Sequence, residues 1–201
     1  ADFTINPNDE GPTGAGCLYD ELIFHVLDKN TFKLWQNDFS GASGLYGSYL
    51  ATCGGGREHN YEYPMNTRDW RKKAMDFLDI IPDGSYVVVR NNGNPNFEGN
   101  TYPDVWRSDT ATFGHNNSLY HRLFDQGFTD IDSFNRARAW VFVYRKNSAS
   151  SFEPVSKFTV DAYDKIAFGV FCPTPQSNGT ITSPVLGPAK QWNELRWNGK
   201  S

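Results

Sequence analysis

The residues best equipped for chemistry lie in one stretch, Ala51 to Asn60, which reads ATCGGGREHN. It holds Cys53, three consecutive glycines, Arg57, Glu58 and His59. A thiol attacks as its thiolate, which needs an imidazolium, a helix N-terminus or cationic neighbours to acidify it. On that chemistry the chain would be a cysteine hydrolase, with Cys53 as nucleophile, His59 as base and the N–H groups of Gly54 to Gly56 as oxyanion donors. Placement argues the other way. His59 lies six residues off along a glycine-rich loop, whereas catalysis needs tightly held geometry. Catalytic cysteines commonly sit at strand ends or helix starts, and neither pattern is found here. The expectation is a loop cysteine, buried or bonded to Cys17 or Cys172, in a domain with no catalytic residues.

A second constellation is polar and aromatic. Trp106 stands in Tyr102-Pro103-Asp104-Val105-Trp106-Arg107, read as an irregular polar segment, where an indole beside Asp and Arg could stack on a sugar ring. Asn91 and Asn92 follow a strand, and Arg136 and Arg138 precede another. Residues two apart on a strand point the same way, so these four would form a polar pocket at one end of the sheet. The expected ligand-binding residues are Asn91, Asn92, Trp106, Arg136 and Arg138. Each has a plainer reading: Trp106 as a cap on the core beneath a loop, the arginines as solvated charges.

Metal chemistry finds little support. The three cysteines contain no CxxC pair, and six residues separate His115 from His121, which keeps them off one helical face. Asp9, Glu10, Asp20 and Glu21 lack the loop spacing of a calcium hand. No metal and no cofactor is expected. A net charge of −4 leaves no electrostatic footprint for nucleic acid. No apolar run approaches the length that spans a bilayer.

Elements that could position these residues follow from periodicity. The 201 residues suffice for one domain, and an aromatic content of 15% favours a β-rich one. Leu22–Leu27 and Phe32–Phe39, joined by Asp28-Lys29-Asn30-Thr31, predict a hairpin. Residues 40–65, rich in glycine and tyrosine, read as a long structured loop. Asn66 or Thr67 caps a helix whose apolar face is Trp70, Ala74, Phe77, Leu78 and Ile81, stopped by Pro82 and Gly84. Ser85–Arg90 reads as a buried strand broken by Asn91-Asn92-Gly93. A short helix over 117–124, a strand over 139–145 and a strand pair at 157–163 and 165–172 complete the order. The fold class is α/β (α+β): a β-sandwich or mixed sheet with two helices packed against it. Residues 1–19 read as a linker or edge segment, 20–180 as the domain, and 181–201 as an extension toward a following domain.

Three segments in this order resemble the interleukin-like EMT inducer (ILEI-like) domain family: LIFHVLDKNTFKLWQNDF from Leu22, FLDIIPDGSYVVVRNNG from Phe77, and LFDQGFTDIDSFNRARAWVFVYRKN from Leu123. The tail Ser183–Lys190 with Trp192 and Trp197 is similar to junctions in large secreted or surface proteins of bacteria that use gingipain-type peptidases and type IX secretion. The resemblance implies a non-catalytic domain, akin to secreted signalling proteins and to the sugar-binding stem of an O-mannose-linked N-acetylglucosaminyltransferase. Two positions depart from it. Asn91-Asn92-Gly93 stands where the family carries Asp-Glu-Gly, and Arg136-Ala137-Arg138-Ala139 replaces an Arg-Asp pair. The expected function is binding of a glycan or a cell-envelope protein by one domain of a larger exported bacterial protein, secreted or at the cell surface, beside neighbouring domains of its parent chain. The alternatives are the cysteine hydrolase and a structural spacer without a ligand.

Overall fold

The computed structural model describes residues 21–38, 45–47, 59–92, 102–161, 164, 166–167 and 169–172. Along the chain come β1 (Glu21–Leu27), β2 (Tyr61–Pro64), α1 (Arg68–Ile80), β3 (Tyr86–Asn92), α2 (Pro103–Ser108), α3 (Thr110–Phe113), α4 (Leu119–Asp125), a 3-10 turn (Ile131–Ser133), β4 (Trp140–Arg145) and β5 (Val155–Phe158). The strands form one sheet in the order β2-β1-β3-β4-β5. Every neighbouring pair is antiparallel. The class is therefore α+β, but the sheet is not mixed, and no second sheet makes a sandwich among the described residues.

β1 is buried at all seven positions, because both faces of the sheet are covered. That is why its sequence runs apolar without alternation. Leu22, Phe24 and Val26 face the helices, whereas Leu27 joins Tyr86, Val88, Val143 and Phe152 on the other face. β2 and β3 flank β1 and both run antiparallel to it, so α1 carries the chain across β1 from one to the other.

The hairpin expected after β1 is present only as its turn. Asp28 Oδ1 accepts the N–H groups of Asn30 (3.0 Å) and Thr31 (2.8 Å) and the Thr31 hydroxyl (3.0 Å). Beyond it, pairing is limited to one bridge, Leu27 with Leu34, and the Trp35 N–H bond to the Val26 carbonyl (2.8 Å). The reason is competition for an edge. β3 takes one side of β1, and β2 takes the other from Glu21 to Phe24, leaving only the last residues of β1 open. β2 itself lies inside what reads as loop. Its Tyr61 and Tyr63 sit opposite Phe24 and Leu22, and Gly47 lies so close that a Cβ there would fall 2.3 Å from the Glu62 carbonyl oxygen.

α1 starts where its cap signal puts it: the Thr67 hydroxyl accepts the Trp70 N–H (3.3 Å), and Asp69 stands in the first turn. Phe77 stacks on Tyr61 with centroids 4.5 Å apart and meets Phe24 edge-on at 6.1 Å. At its C-terminal end the Lys146 ammonium donates to the carbonyls of Leu78, Asp79 and Ile81, filling acceptors that a helix end leaves open.

The segment 102–134 covers the β4 side of the same face. Phe128 and Phe134 stack on Trp140 at 4.7 and 5.3 Å. Buried aromatic pairs of this kind add about 0.5–1.5 kcal/mol each beyond their area. Asp109, at the junction of α2 and α3, accepts Arg71 Nε (2.6 Å) and Nη2 (2.9 Å) and Arg68 Nε (3.1 Å), while Arg71 Nη1 donates to the Met65 carbonyl (2.7 Å). Asp109 and Arg71 are both buried, so this ion pair pins the junction to α1. Gly127 ends the α4 region with φ +102°, and a Cβ there would meet Pro154 at 2.6 Å.

The strand pair expected at 157–172 is corrected. β5 begins earlier, at Val155, and ends at Phe158; the described residues after it hold no strand. Val170 and Cys172 instead pack against the second-face cluster.

Candidate functional site

The end of the sheet where β3 finishes and β4 begins gathers most of the residues expected to bind. The β3–β4 ladder runs to the Arg90–Val141 pair. Past it the side chain of Asn91 continues the ladder. Its Oδ1 accepts the Trp140 N–H (2.8 Å) and its Nδ2 donates to the Arg138 carbonyl (2.9 Å). The amide thus clamps the backbone at the start of β4 and has both ends engaged. Asn92 closes β3 opposite Glu21.

Arg136 and Arg138 precede β4 rather than lying in it. Arg136 is exposed, and its Nη2 donates to the Val160 carbonyl (3.1 Å). Arg138 is half-buried, with its guanidinium carbon 4.5 Å from the centroid of Phe158. This is a cation–π contact. Desolvation, then the charge of Arg136, lowers the Arg138 pKa. Its Nε is buried without an acceptor, as is the Nε1 of Trp140 on the strand that follows. Neither arginine has a carboxylate at ion-pair distance among the described residues. Asp130 is the acid that acts on Arg138, and it accepts the Ser156 hydroxyl at 2.6 and 2.8 Å.

Trp106 does not join this end as a binding surface. It is 0% exposed and packs edge-on against Phe134 at 6.0 Å. The segment around it is helical, not irregular: Pro103 occupies the first turn of α2, where its missing N–H costs nothing. Helical spacing then turns Pro103, Trp106 and Asp109 inward, while Asp104 and Arg107 face out. A ring with no exposed face cannot stack on a sugar, so Trp106 belongs to the core.

Cys53 lies outside the described residues, so its distance from His59 has no value here. The hydrogen bonds of His59 are structural. Its Nδ1–H donates to the Trp35 carbonyl (3.0 Å), and its own carbonyl accepts Nδ1–H of His25 (3.1 Å). A serine–histidine contact, Ser118 Oγ to His121 Nδ1 at 2.8 Å, is local to the start of α4, and Ser118 is fully buried.

Sequence reasoning places His25 in a sheet but misses the polar group around it. On the second face, Glu62, Ile23 and Arg90 lie in one row across β2, β1 and β3, with Glu21 and His25 on either side of Ile23. Glu21, His25 and Glu62 are all buried. His25 Nε2 accepts Nε–H of Arg90 (3.1 Å), so both ring nitrogens are satisfied in the neutral form. Burial, then the Arg90 charge, pushes the His25 pKa down to about 3. Glu62 Oε1 accepts from Asn60 (2.9 Å), and Asn37 spans the carbonyls of Tyr46 and Asn60 (2.9 and 3.1 Å). The only sequence signal was polar residues at inward positions of strands. This cluster holds loops to the sheet and is closed to solvent.

Among the described residues no three His, Cys, Asp or Glu side chains converge as a metal site. No helix there is long and apolar enough to cross a membrane. Compared with known proteins, the chain matches no family model, no curated protein and no solved structure.

Proposed function

We propose that this chain is a non-catalytic, ILEI-like binding domain of a larger exported bacterial protein, secreted or held at the cell surface, whose ligand is a glycan, with an envelope protein as the second candidate. The observation that carries the reading is the pair Arg136 and Arg138 at the end of the sheet. Both guanidiniums lack an acid partner among the described residues, and one lies over the Phe158 ring. The described arginines 68, 71, 107 and 122 each pair with an aspartate, and Arg145, which has no such pair there, is held by the Gly84 carbonyl and the Ser151 hydroxyl. A planar donor fork, preorganised and left without a protein acceptor, suits a ligand oxygen. The antiparallel sheet with helices on one face is compatible with the resemblance and supports the coarse class.

The test is a glycan array probed with the purified chain and with Arg138→Ala, with melting curves for both. Saturable binding that disappears in a variant of unchanged melting temperature supports the reading. A blank array across neutral and acidic glycans removes the glycan and leaves an envelope protein or a spacer role.

A further inference from the structure

The chemistry of this sheet end also says what kind of glycan it would hold, and the inference rests on the reading of that end as the ligand site. A neutral sugar offers hydroxyls, each both donor and acceptor, and sites for such sugars mix carboxylates and amide oxygens with donors. Here each of the nearby acceptors already takes a protein donor. Asn91 Oδ1 is bound to the Trp140 N–H and the Arg138 carbonyl to Asn91 Nδ2. The Val160 carbonyl takes Arg136, and the Asp130 carboxylate takes Ser156.

Donors remain. The Arg138 guanidinium lies 4.5 Å from the Phe158 centroid with no ion pair among the described residues, and Arg136, two positions before it, donates only to a neutral carbonyl, that of Val160. The two cations repel each other, the Asp130 carboxylate attracts Arg138 without pairing with it, and a ligand anion held by both arginines would relieve the repulsion further. Arginine takes carboxylate and sulfate oxygens through parallel N–H bonds, stronger than those to a hydroxyl. We propose that the ligand of this site is an acidic saccharide, which sets a carboxylate or sulfate against Arg138 and Arg136.

The experiment is isothermal titration of the purified chain with uronate-bearing and sulfated oligosaccharides, each beside its carboxyl-reduced or desulfated counterpart. At least one acidic member is expected to bind, with its neutral counterpart weaker by about tenfold or more, the worth of one charge-assisted hydrogen bond. Arg138→Gln and Arg136→Gln should each weaken the acidic ligand to a similar degree, and Arg138→Lys less. Arg122→Gln, which removes an arginine paired with Asp79 elsewhere, should leave it unchanged. Arg136 is exposed, so its variant keeps the test valid should Arg138→Gln unfold. Equal binding of acidic and neutral members overturns this inference and leaves the glycan reading standing. Acid binding that survives both arginine variants also overturns it. No saccharide binding of either kind sinks both.

Discussion

Acidification offers a direct probe of the buried face. His25 is neutral in the fold, with its pKa pushed down from 6.5 to about 3, first by burial and then by the charge of Arg90. In the unfolded chain it titrates at its ordinary value. The unfolded state therefore takes up the proton first as pH falls. Stability on this account is complete above about pH 6.5 and drains away toward pH 3, at up to about 1.4 kcal/mol per pH unit. Between pH 7 and pH 5 the loss from this one residue is about 2 kcal/mol, a large share of a stability of roughly 5–15 kcal/mol. Other groups titrate in the same range, so the reading is a difference. Urea unfolding followed by tryptophan fluorescence, at pH 7 and pH 5, is run on the protein and on His25→Gln. Glutamine keeps an acceptor near Arg90 and has no charge to gain. The variant will be less stable overall, but its stability should fall by about 2 kcal/mol less over this interval. Equal falls in both proteins would refute the argument that His25 is held neutral by its surroundings.

Three further outcomes are expected. Asp109→Ala strands the buried Arg71 charge and should cost about 3–5 kcal/mol, whereas Arg71→Met with Asp109→Leu should recover most of it, read from urea midpoints of the singles and the double. Trp106→Ala opens a cavity under α2 and should cost about 3–5 kcal/mol in the same assay. Any glycan bound by the folded fraction should keep its affinity, which titration would report. Burial pushes the Cys172 thiol up, so iodoacetamide at pH 7 should label it slowly by mass spectrometry. Fast labelling at Cys53 in that experiment would revive the hydrolase.

How much of this could be read in advance depended on the length of the signal. α1 was legible because its cap and its apolar face agree over four turns, and β3 and β4 because their β-branched and aromatic runs are long enough to exclude a surface. β2 is four residues inside a glycine-rich stretch, too short for a period to register. α2 escaped because Pro103 reads as a breaker when it stands, permissibly, in the first turn, and with the helix went the direction in which Trp106 points. By residue type Asn91 reads as a turn former. Its amide instead extends the sheet, a role set by the backbone of β4 and invisible in β3's own sequence. The arginine pair was legible as composition, but its lack of acid partners is a property of the fold.

The interior position of β1, between β2 and β3, has a consequence for how the chain is made. This strand, among the most apolar segments of the protein, emerges before either of its neighbours. Its partners on β3 come some 65 positions later, as the contact between His25 and Arg90 measures. At roughly 5–20 residues per second, translation leaves the β3 edge of Glu21–Leu27 unpaired for several seconds, long enough for collapse or for capture by another chain. A ribosome-bound chain truncated before Tyr86 should therefore carry that edge open, the state in which a holding chaperone would find it.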